Sequence, residues 1–329
     1  MQSGRRVTIL DVAERAGVHP GTVSRALTRP ERVAPGTRER VERAARDLGF
    51  VPNRAARRLI TGRTGNIAVI VPDITNPHFA ALVRAVERTA RASDMQVLLA
   101  DTGEHEREEA RAARALMAEV DGFVIVSPRR LHKDLDALGT KPATFVNRPV
   151  PGHSSVLLRT APAISRALEH VASLGHPAVA YLGGPRGSWA ASERRNALRR
   201  TARAIGLDVV ELAAEEPTFE AAARLAPRLA SSPVSAVLCF NDQMALGALA
   251  GLARLGISVP EHMSVVGCDD VPMASMVHPP LTTIRLPTGE AGERAVQLLG
   301  EPPSSISLAG TLVVRDSTGR VMPRRASAF

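Results

Sequence analysis

Hydroxyl and guanidinium side chains are concentrated in one short segment near the start of the chain, residues 20–29. Thr22 and Ser24 carry hydroxyls suited to phosphate oxygens, and Arg25 and Arg29 carry guanidinium groups. A guanidinium can donate two parallel hydrogen bonds to O6 and N7 of guanine, whereas hydroxyl contacts with phosphates set the register of a protein on a duplex. This combination of residue types predicts a surface that reads DNA.

The distribution of charge favours the same interpretation. The 329 residues include 42 Lys and Arg against 33 Asp and Glu, a net charge of +9. Residues 1–63 contain 14 Arg and six acids, net +8, so the remaining 28 basic and 27 acidic side chains give net +1. An excess confined to the first fifth of the chain indicates a small module that binds a polyanion. The alternative is a solvated basic tail.

Apolar spacing predicts three short helices in this module. Apolar residues at i, i+3, i+4 and i+7 begin at Ile9 and again at Val41. Thr8 is a candidate N-cap of the first helix, Gly17 a candidate end, and Pro20 suits the first position of the second helix. Two short helices joined by a tight turn and closed by a third predict a helix-turn-helix. A three-helix bundle with a solvated polar face is the alternative.

Residues 7–18 (VTILDVAERAGV), 22–27 (TVSRAL) and 37–41 (TRERV) closely resemble the DNA-binding headpiece of LacI-family transcriptional regulators. The resemblance implies that Pro20 and Gly21 occupy two positions that help to choose the operator, and that His19 replaces a frequent serine. Pro20 and Gly21 offer no side-chain hydrogen bond, so Arg25 is expected to carry more of the direct readout. The candidate DNA-binding residues are Thr8, His19, Pro20, Gly21, Thr22, Ser24, Arg25, Arg29, Thr37, Asn53, Arg54, Ala56, Arg57 and Leu59.

Residues 50–59 (FVPNRAARRL) resemble the hinge helix of the same family. A segment of one to two turns is too short to be helical by itself in water. The resemblance implies that it folds on the operator and that Leu59 enters the minor groove and bends the duplex. Packing in a core is the alternative for Leu59. The expected organisation is a headpiece at 1–50 and a hinge and linker at 51–63.

From Ile67 onward, short apolar runs alternate with helical patterns, which predicts parallel sheets with helices on both faces. The strand-like runs are 67–71, 97–99, 123–126, 144–146, 179–182, 236–239 and 264–266. Several segments resemble the periplasmic-binding-protein-like core of the LacI family: 67–79 (IAVIVPDITNPHF), 174–176 (LGH), 181–185 (YLGGP), 240–247 (FNDQMALG), 265–270 (VVGCDD) and 279–284 (PPLTTI).

The expected fold is therefore an all-α helix-turn-helix headpiece with a hinge helix, followed by an α/β periplasmic-binding-protein-like core of two doubly wound parallel-sheet subdomains. The resemblance implies chain crossings near residues 158–161, 284–288 and 316–321. The core then spans 64–329, with an N-subdomain at about 64–158 and 288–318 and a C-subdomain at about 159–287 and 319–329.

In such folds a ligand binds beyond the carboxyl ends of the strands, here in the cleft between the subdomains. Carboxylates, amides and guanidinium groups can bond ring hydroxyls, and an aromatic ring can stack on a sugar. The candidate effector-binding residues are Asp73, Asn76, Phe79, Arg129, Asn147, Trp189, Arg195, Asn241 and Asp269. The resemblance implies recurrent effector contacts at four of them, Asn147, Arg195, Asn241 and Asp269.

Trp189 and Asp269 each have an alternative structural role, and Arg159 affects the expected charge of the ligand. Trp189 is the only tryptophan, and ordinary core packing is its alternative. For Asp269 the alternative is a structural turn or cap. Arg159 stands where many family members have an acid, which makes the rim more basic and admits an anionic or phosphorylated ligand.

Motifs of catalysis are missing from the sequence. There is no GxSxG, HExxH or GxxxxGK[ST], so no enzyme activity, cofactor or metal site is predicted. Cys239 and Cys268 are the only cysteines, which argues against a disulfide framework and fits a reducing cytoplasm. No run approaches about 18 apolar residues, and residues 1–10 do not form a secretory signal.

The sequence and the resemblance together predict a cytoplasmic, homodimeric transcription regulator, expected to be a repressor, with a tetramer as the alternative assembly. Its partners are expected to be a palindromic double-stranded operator and a small effector, in the first place a carbohydrate. Helices near 79–91 and 244–254 are the expected dimer faces. Two other classes are weighed: a solute-binding receptor, which needs an export signal and no headpiece, and a nucleotide- or phosphosugar-using enzyme, which needs a phosphate fingerprint.

Overall fold

The computed structural model describes residues 7–28, 30–50, 62–214 and 216–321, and the chain forms two compact units, Met1–Thr64 and Gly65–Phe329. The predictions for the hinge and for Arg29 lie outside the described residues. They concern Arg29, Asn53, Arg54, Ala56, Arg57 and Leu59.

The first unit contains the three predicted helices, α1 (Ile9–Ala16), α2 (Pro20–Thr28) and α3 (Pro35–Asp47). Each helix contributes one completely buried valine to a shared core: Val12, Val23 and Val41. Thr8 precedes α1, and both its N–H and its hydroxyl donate to the Asp11 carboxylate at 2.7 Å. The helix-turn-helix prediction is confirmed.

The second unit alternates strands and helices. Its strands are β1 (Asn66–Val71), β2 (Gln96–Asp101), β3 (Gly122–Val126), β4 (Ala143–Val146), β5 (Ser154–Arg159), β6 (Ala178–Gly183), β7 (Asp208–Ala213), β8 (Ala236–Cys239), β9 (Ser264–Asp269), β10 (Thr282–Arg285), β11 (Ser305–Ala309) and β12 (Thr311–Val313). Its α-helices are α4 (Pro77–Ala92), α5 (Glu106–Leu116), α6 (Ala161–Ser173), α7 (Trp189–Ile205), α8 (Phe219–Arg224), α9 (Ala226–Ser231), α10 (Asp242–Arg254) and α11 (Thr288–Gln297).

These strands form two six-stranded sheets. The first has the order β11-β5-β4-β3-β1-β2 and is parallel throughout. The second has the order β12-β10-β9-β8-β6-β7 and is parallel except for β12, which runs antiparallel to β10. Apolar clusters cover both faces of each sheet, which explains why the central strands are continuous apolar runs. None of the described helices combines the length and apolar character needed to span a bilayer.

Over residues 62–214 and 216–321 the chain passes between the sheets three times: after Arg159, between β10 and α11, and at Gly310. Thr311–Val313 pair with β10 and therefore belong to the second sheet, whereas residues 288–318 were expected to belong to the first subdomain. The Gly310 N–H donates to the Arg159 carbonyl at 2.9 Å. A Cβ atom at Gly310 would lie 2.9 Å from Leu286, so this crossing needs a residue without a side chain.

Candidate DNA-reading face and ligand cleft

The start of α2 carries the predicted base-reading positions. His19 precedes the helix, and its Nδ1 accepts a hydrogen bond from the backbone N–H of Gly21 at 3.1 Å. His19 therefore caps the helix as a serine would, and in this arrangement the ring proton lies on Nε2. The Arg25 guanidinium is exposed, with Nη2 3.5 Å from the Thr22 hydroxyl. The side chains predicted to contact phosphates all retain some exposure: Thr8, Thr22, Ser24 and Thr37.

A cavity lies at the carboxyl ends of strands from both sheets. Seven of the nine predicted effector residues line it: Asp73, Asn76, Phe79, Arg129, Asn147, Asn241 and Asp269. They lie at or shortly after the carboxyl ends of parallel strands in both subdomains, which is where open α/β sheets bind ligands.

Trp189 and Arg195 do not line this cavity. On α7 the residues that face it are Ala190 and Arg194, and one step along a helix turns a side chain by about 100°. Arg195 lies on the opposite side, where its Nε is 3.6 Å from a Glu211 carboxylate oxygen. The arginine of α7 that lines the cavity is therefore Arg194, whose side chain is only 6% exposed, and not the predicted Arg195.

Arg194 is held by three contacts. Its Nη1 donates to the Phe240 carbonyl, its Nη2 lies 3.5 Å from Oδ1 of Asp269, and its guanidinium stacks over the Phe240 ring at 4.6 Å. The other face of that ring packs against Gly184, where a Cβ atom would come within 2.5 Å of it. The Nε of Arg194 is buried and has no hydrogen-bond partner among the described residues.

Each guanidinium that lines the cavity is matched by a carboxylate. Arg129 donates to Glu104, and Arg194 pairs with Asp269. Asp73 is a further acid, and its Oδ1 accepts from the N–H and hydroxyl of Thr75. The lining therefore carries no unmatched positive charge.

The three asparagines of the cavity also organise its walls. Asn76 and Asn241 cap α4 and α10 by accepting from the N–H groups of His78 and Met244. The Asn147 amide donates to Ser127 at 3.3 Å and accepts from the Leu158 N–H at 3.2 Å. Their remaining N–H groups are the ones a ligand can use.

Backbone strain is concentrated at the same place. Ser127, Asn147 and Asp269 have φ values of 48°, 58° and 131°, although none of them is glycine. They follow or end β3, β4 and β9, and all three line the cavity. Such conformations cost about 1–3 kcal/mol each and persist mainly at functional sites.

Burial dominates the titration of the two facing groups, His78 and Asp269. It lowers the pKa of His78 to about 3, with a smaller contribution from the Arg194 cation. It raises the pKa of Asp269 to about 7, although Arg194 opposes the rise. His78 is therefore neutral near pH 7.

Nine further lining residues were not among the predicted effector contacts, and they include His78, Glu104, Arg194, Phe240 and Gln243. His78 and Gln243 lie in the first turns of α4 and α10, beside predicted residues, and Phe240 directly follows β8. Its position directly after a strand could therefore have identified Phe240 as a cavity residue from the sequence. Among the described residues, no cluster of His, Cys, Asp and Glu is suited to hold a metal ion.

Two family models match the chain. Residues 8–53 match the model for bacterial regulatory proteins of the lacI family, and residues 168–318 match the periplasmic binding protein-like domain. The first match covers the helix-turn-helix, and the second covers all six strands of the second sheet.

Relatives match over most of the chain. The chain is 32% identical to the HTH-type transcriptional repressor CytR of Escherichia coli K12, over 89% of this chain and 88% of the relative. It is 34% identical to the HTH-type transcriptional regulator CelR of Thermobifida fusca, over 96% and 100%.

Solved structures match equally broadly. The lac repressor dimer bound to operator and the anti-inducer ONPF has a TM-score of 0.85 at 28% identity, over 96% of this chain and 100% of that one. A complex of the regulator CelR with cellobiose has a TM-score of 0.70 at 30% identity, over 95% and 100%. A LacI-family regulator of Enterococcus faecium with bound ribose has a TM-score of 0.68 at 25% identity, over 78% and 100%.

These matches decide between the three classes of protein that the sequence suggested. A receptor for transport or an enzyme would not share the headpiece and the full length of these regulators. The chain belongs to the LacI family and is a DNA-binding transcriptional regulator.

Proposed function

We propose that the protein represses transcription by binding a roughly palindromic operator as a homodimer in the cytoplasm, and that a neutral sugar in the cleft sets its operator affinity. The observation that supports a neutral ligand is the pairing of each arginine in the cleft with a carboxylate. A neutral polyhydroxyl compound needs donors and acceptors side by side, which an arginine–carboxylate pair supplies. The cellobiose and ribose bound by the similar regulators have this chemistry.

An anionic effector is disfavoured in the cleft. It would need a cation that is not already neutralised, but Arg129 and Arg194 are both paired. Arg159, which suggested such a ligand, does not line the cavity; it pairs with Glu193 at 3.2 Å.

On the DNA side, we assign base reading to Arg25 and phosphate contacts to the hydroxyls of Thr8, Thr22, Ser24 and Thr37. Each copy would place the start of α2 in a major groove, and two copies related by a twofold axis would read two half-sites. The cap formed by His19 leaves its Nε2–H as a further donor at this surface.

For the dimer we favour the outer faces of α4 and α10. One face of each helix is used within the chain, where α4 packs on α11 and α10 on α8. Residues left exposed include Ala81 and Arg84 on α4 and Arg254 near the end of α10. Light scattering should give about twice the 34.9 kDa mass of one chain.

The ligand proposal is tested by thermal shift with cellobiose, ribose and other neutral sugars, followed by operator binding with each hit. A sugar that raises the midpoint should also change operator affinity, because both depend on the cleft. Asp269→Asn should lose both responses, and Asp316→Asn, an exposed acid outside the cleft, should keep them. A response only to charged compounds would contradict the proposal.

A further inference from the structure

Trp189 and Arg159, which the cleft does not use, lie together in a second depression. Arg159 ends β5, and one face of α7 supplies the other polar or aromatic walls at helical spacing. These residues are Trp189, Ser192, Glu193, Asn196 and Arg200. We refer to this hollow as the crossing depression because it lies at the first passage of the chain between the sheets.

Positive charge exceeds negative charge in the crossing depression. Arg159 and Arg200 face a single acid, Glu193, whose side chain is 14% exposed. Glu193 lies 3.2 Å from Nη1 of Arg159, and burial raises the pKa of this carboxyl. Arg200 makes neither an ion pair nor a hydrogen bond with any residue that the structure describes. This balance contrasts with the cleft, where every lining guanidinium is matched.

The remaining walls suit a small organic molecule. The Arg159 guanidinium lies 5.8 Å from the centroid of the Trp189 ring, which is partly exposed. Asn196 and Ser192 are exposed and present an amide and a hydroxyl in the same hollow. Guanidinium groups bind phosphate and carboxylate oxygens through paired N–H donors.

We propose that the crossing depression is a second ligand site, separate from the cleft, for a small molecule that bears phosphate or carboxylate groups. Arg159 and Arg200 bind the oxyanion, and Asn196 and the Trp189 ring contact the rest of the ligand. Glu193 sets the affinity by competing for Arg159.

The position of the site gives it a regulatory consequence. Arg159 belongs to a strand of the first sheet, whereas Trp189 and Arg200 lie on α7, which packs on the second sheet. A ligand that joins them favours one relative arrangement of the subdomains. If the cleft ligand also favours one arrangement, each ligand must change the affinity of the protein for the other by the same factor.

The test uses the full-length chain and the emission of Trp189, its only tryptophan. Pyrophosphate and citrate serve as phosphate and carboxylate probes, with sodium chloride at equal ionic strength as the control. We expect a saturable change with one or both probes and none with salt. Arg200→Ala should weaken the response at least tenfold, and Arg203→Ala, an exposed arginine of α7 outside the depression, should leave it within twofold. The probe that produces the response shows whether the site prefers phosphate or carboxylate groups.

Two further variants make the result decisive. Glu193→Gln should tighten probe binding severalfold, an effect opposite to that of merely disturbing the local structure. Arg194→Lys should lose the sugar response of the cleft and keep the probe response, so the two sites fail independently. The absence of a saturable response in the wild type, or equal losses in Arg200→Ala and Arg203→Ala, would overturn the proposal.

Discussion

His78 and Asp269 meet across the cleft, with Nδ1 of the imidazole 3.7 Å from Oδ1 of the carboxylate. His78 lies on α4, which packs on the first sheet, and Asp269 ends β9 of the second. The two groups form a titratable contact between the subdomains, in the cavity where the effector is proposed to bind.

This pair predicts two opposite pH dependences of the unfolding free energy. The folded-state pKa of His78 is about 3 against an ordinary 6.5, so the unfolded chain binds more protons between these values, and stability falls as the pH is lowered through this window. The folded-state pKa of Asp269 is about 7 against 3.8, so the folded chain binds more protons there, and stability falls as the pH rises through that window.

Single variants separate the two effects in urea unfolding at a series of pH values. His78→Gln should reduce the loss of stability on acidification below 6.5, to which His132 also contributes, and Asp269→Asn should reduce the loss as the pH rises toward 7. Burial and the Asp269 carboxylate also raise the pKa of Asp242 to about 7, so Asp242 titrates as in the wild type in His78→Gln but less far above its ordinary range in Asp269→Asn. Identical pH slopes in the wild type and both variants would show that these groups do not titrate as inferred.

The neighbours Arg194 and Arg195 provide a matched pair for the effector. Arg194→Lys should weaken binding of the cleft ligand by tenfold or more, about 1.4 kcal/mol, because lysine cannot reproduce the fork that contacts Phe240 and Asp269. Arg195→Lys should stay within twofold, since Arg195 faces Glu211 outside the cavity. Calorimetric titration with an identified sugar measures both, and a larger loss in Arg195→Lys would reverse the assignment.

Arg25 should determine sequence preference on DNA. Arg25→Ala should cost about 1–3 kcal/mol on the operator and relax the preference at one base pair. Arg25→Lys keeps the charge but not the paired donors, so it should lose preference while retaining much of the affinity at low salt. Binding to a panel of single-base operator variants checks this, and equal weakening on every duplex would instead make Arg25 a phosphate contact.

Gly184 and Phe240 should show strong coupling. Gly184→Ala places a Cβ atom 2.5 Å from the Phe240 ring and should destabilise the protein by about 1–3 kcal/mol through overpacking. Phe240→Leu in the same chain should recover part of that loss, because the smaller side chain leaves room. A double-mutant cycle by thermal unfolding measures the interaction, and strictly additive effects would contradict this packing.

Local patterns predicted much of the fold and of the site. The apolar stripes of α1 and α3, with Gly17 and Pro20 at their expected places, are consequences of short-range physics. The cleft residues Asp73, Asn147 and Asp269 follow or end strands, so their convergence follows from parallel topology.

Features that depend on packing between distant parts of the chain could not be predicted from local sequence patterns. The orientation of α7 depends on how the loop after β6 packs, so the sequence did not distinguish Arg194 from Arg195. The edge strands β7 and β11 are only partly buried and carry weak apolar signals. Between β11 and β12 the chain moves from the first sheet to the second at a single glycine, Gly310. The sequence there is one continuous run, so the change of sheet is visible only from the pairing of β12 with β10.

The hydrogen bond between the Gly310 N–H and the Arg159 carbonyl fastens two of the three connecting segments to each other. With two connections joined side by side, we expect the subdomains to rotate about this region more readily than they separate there. A small rotation near Arg159 would then produce its largest displacements at the parts of the sheets farthest from this residue. An anion bound by Arg159 would therefore act close to the axis of rotation.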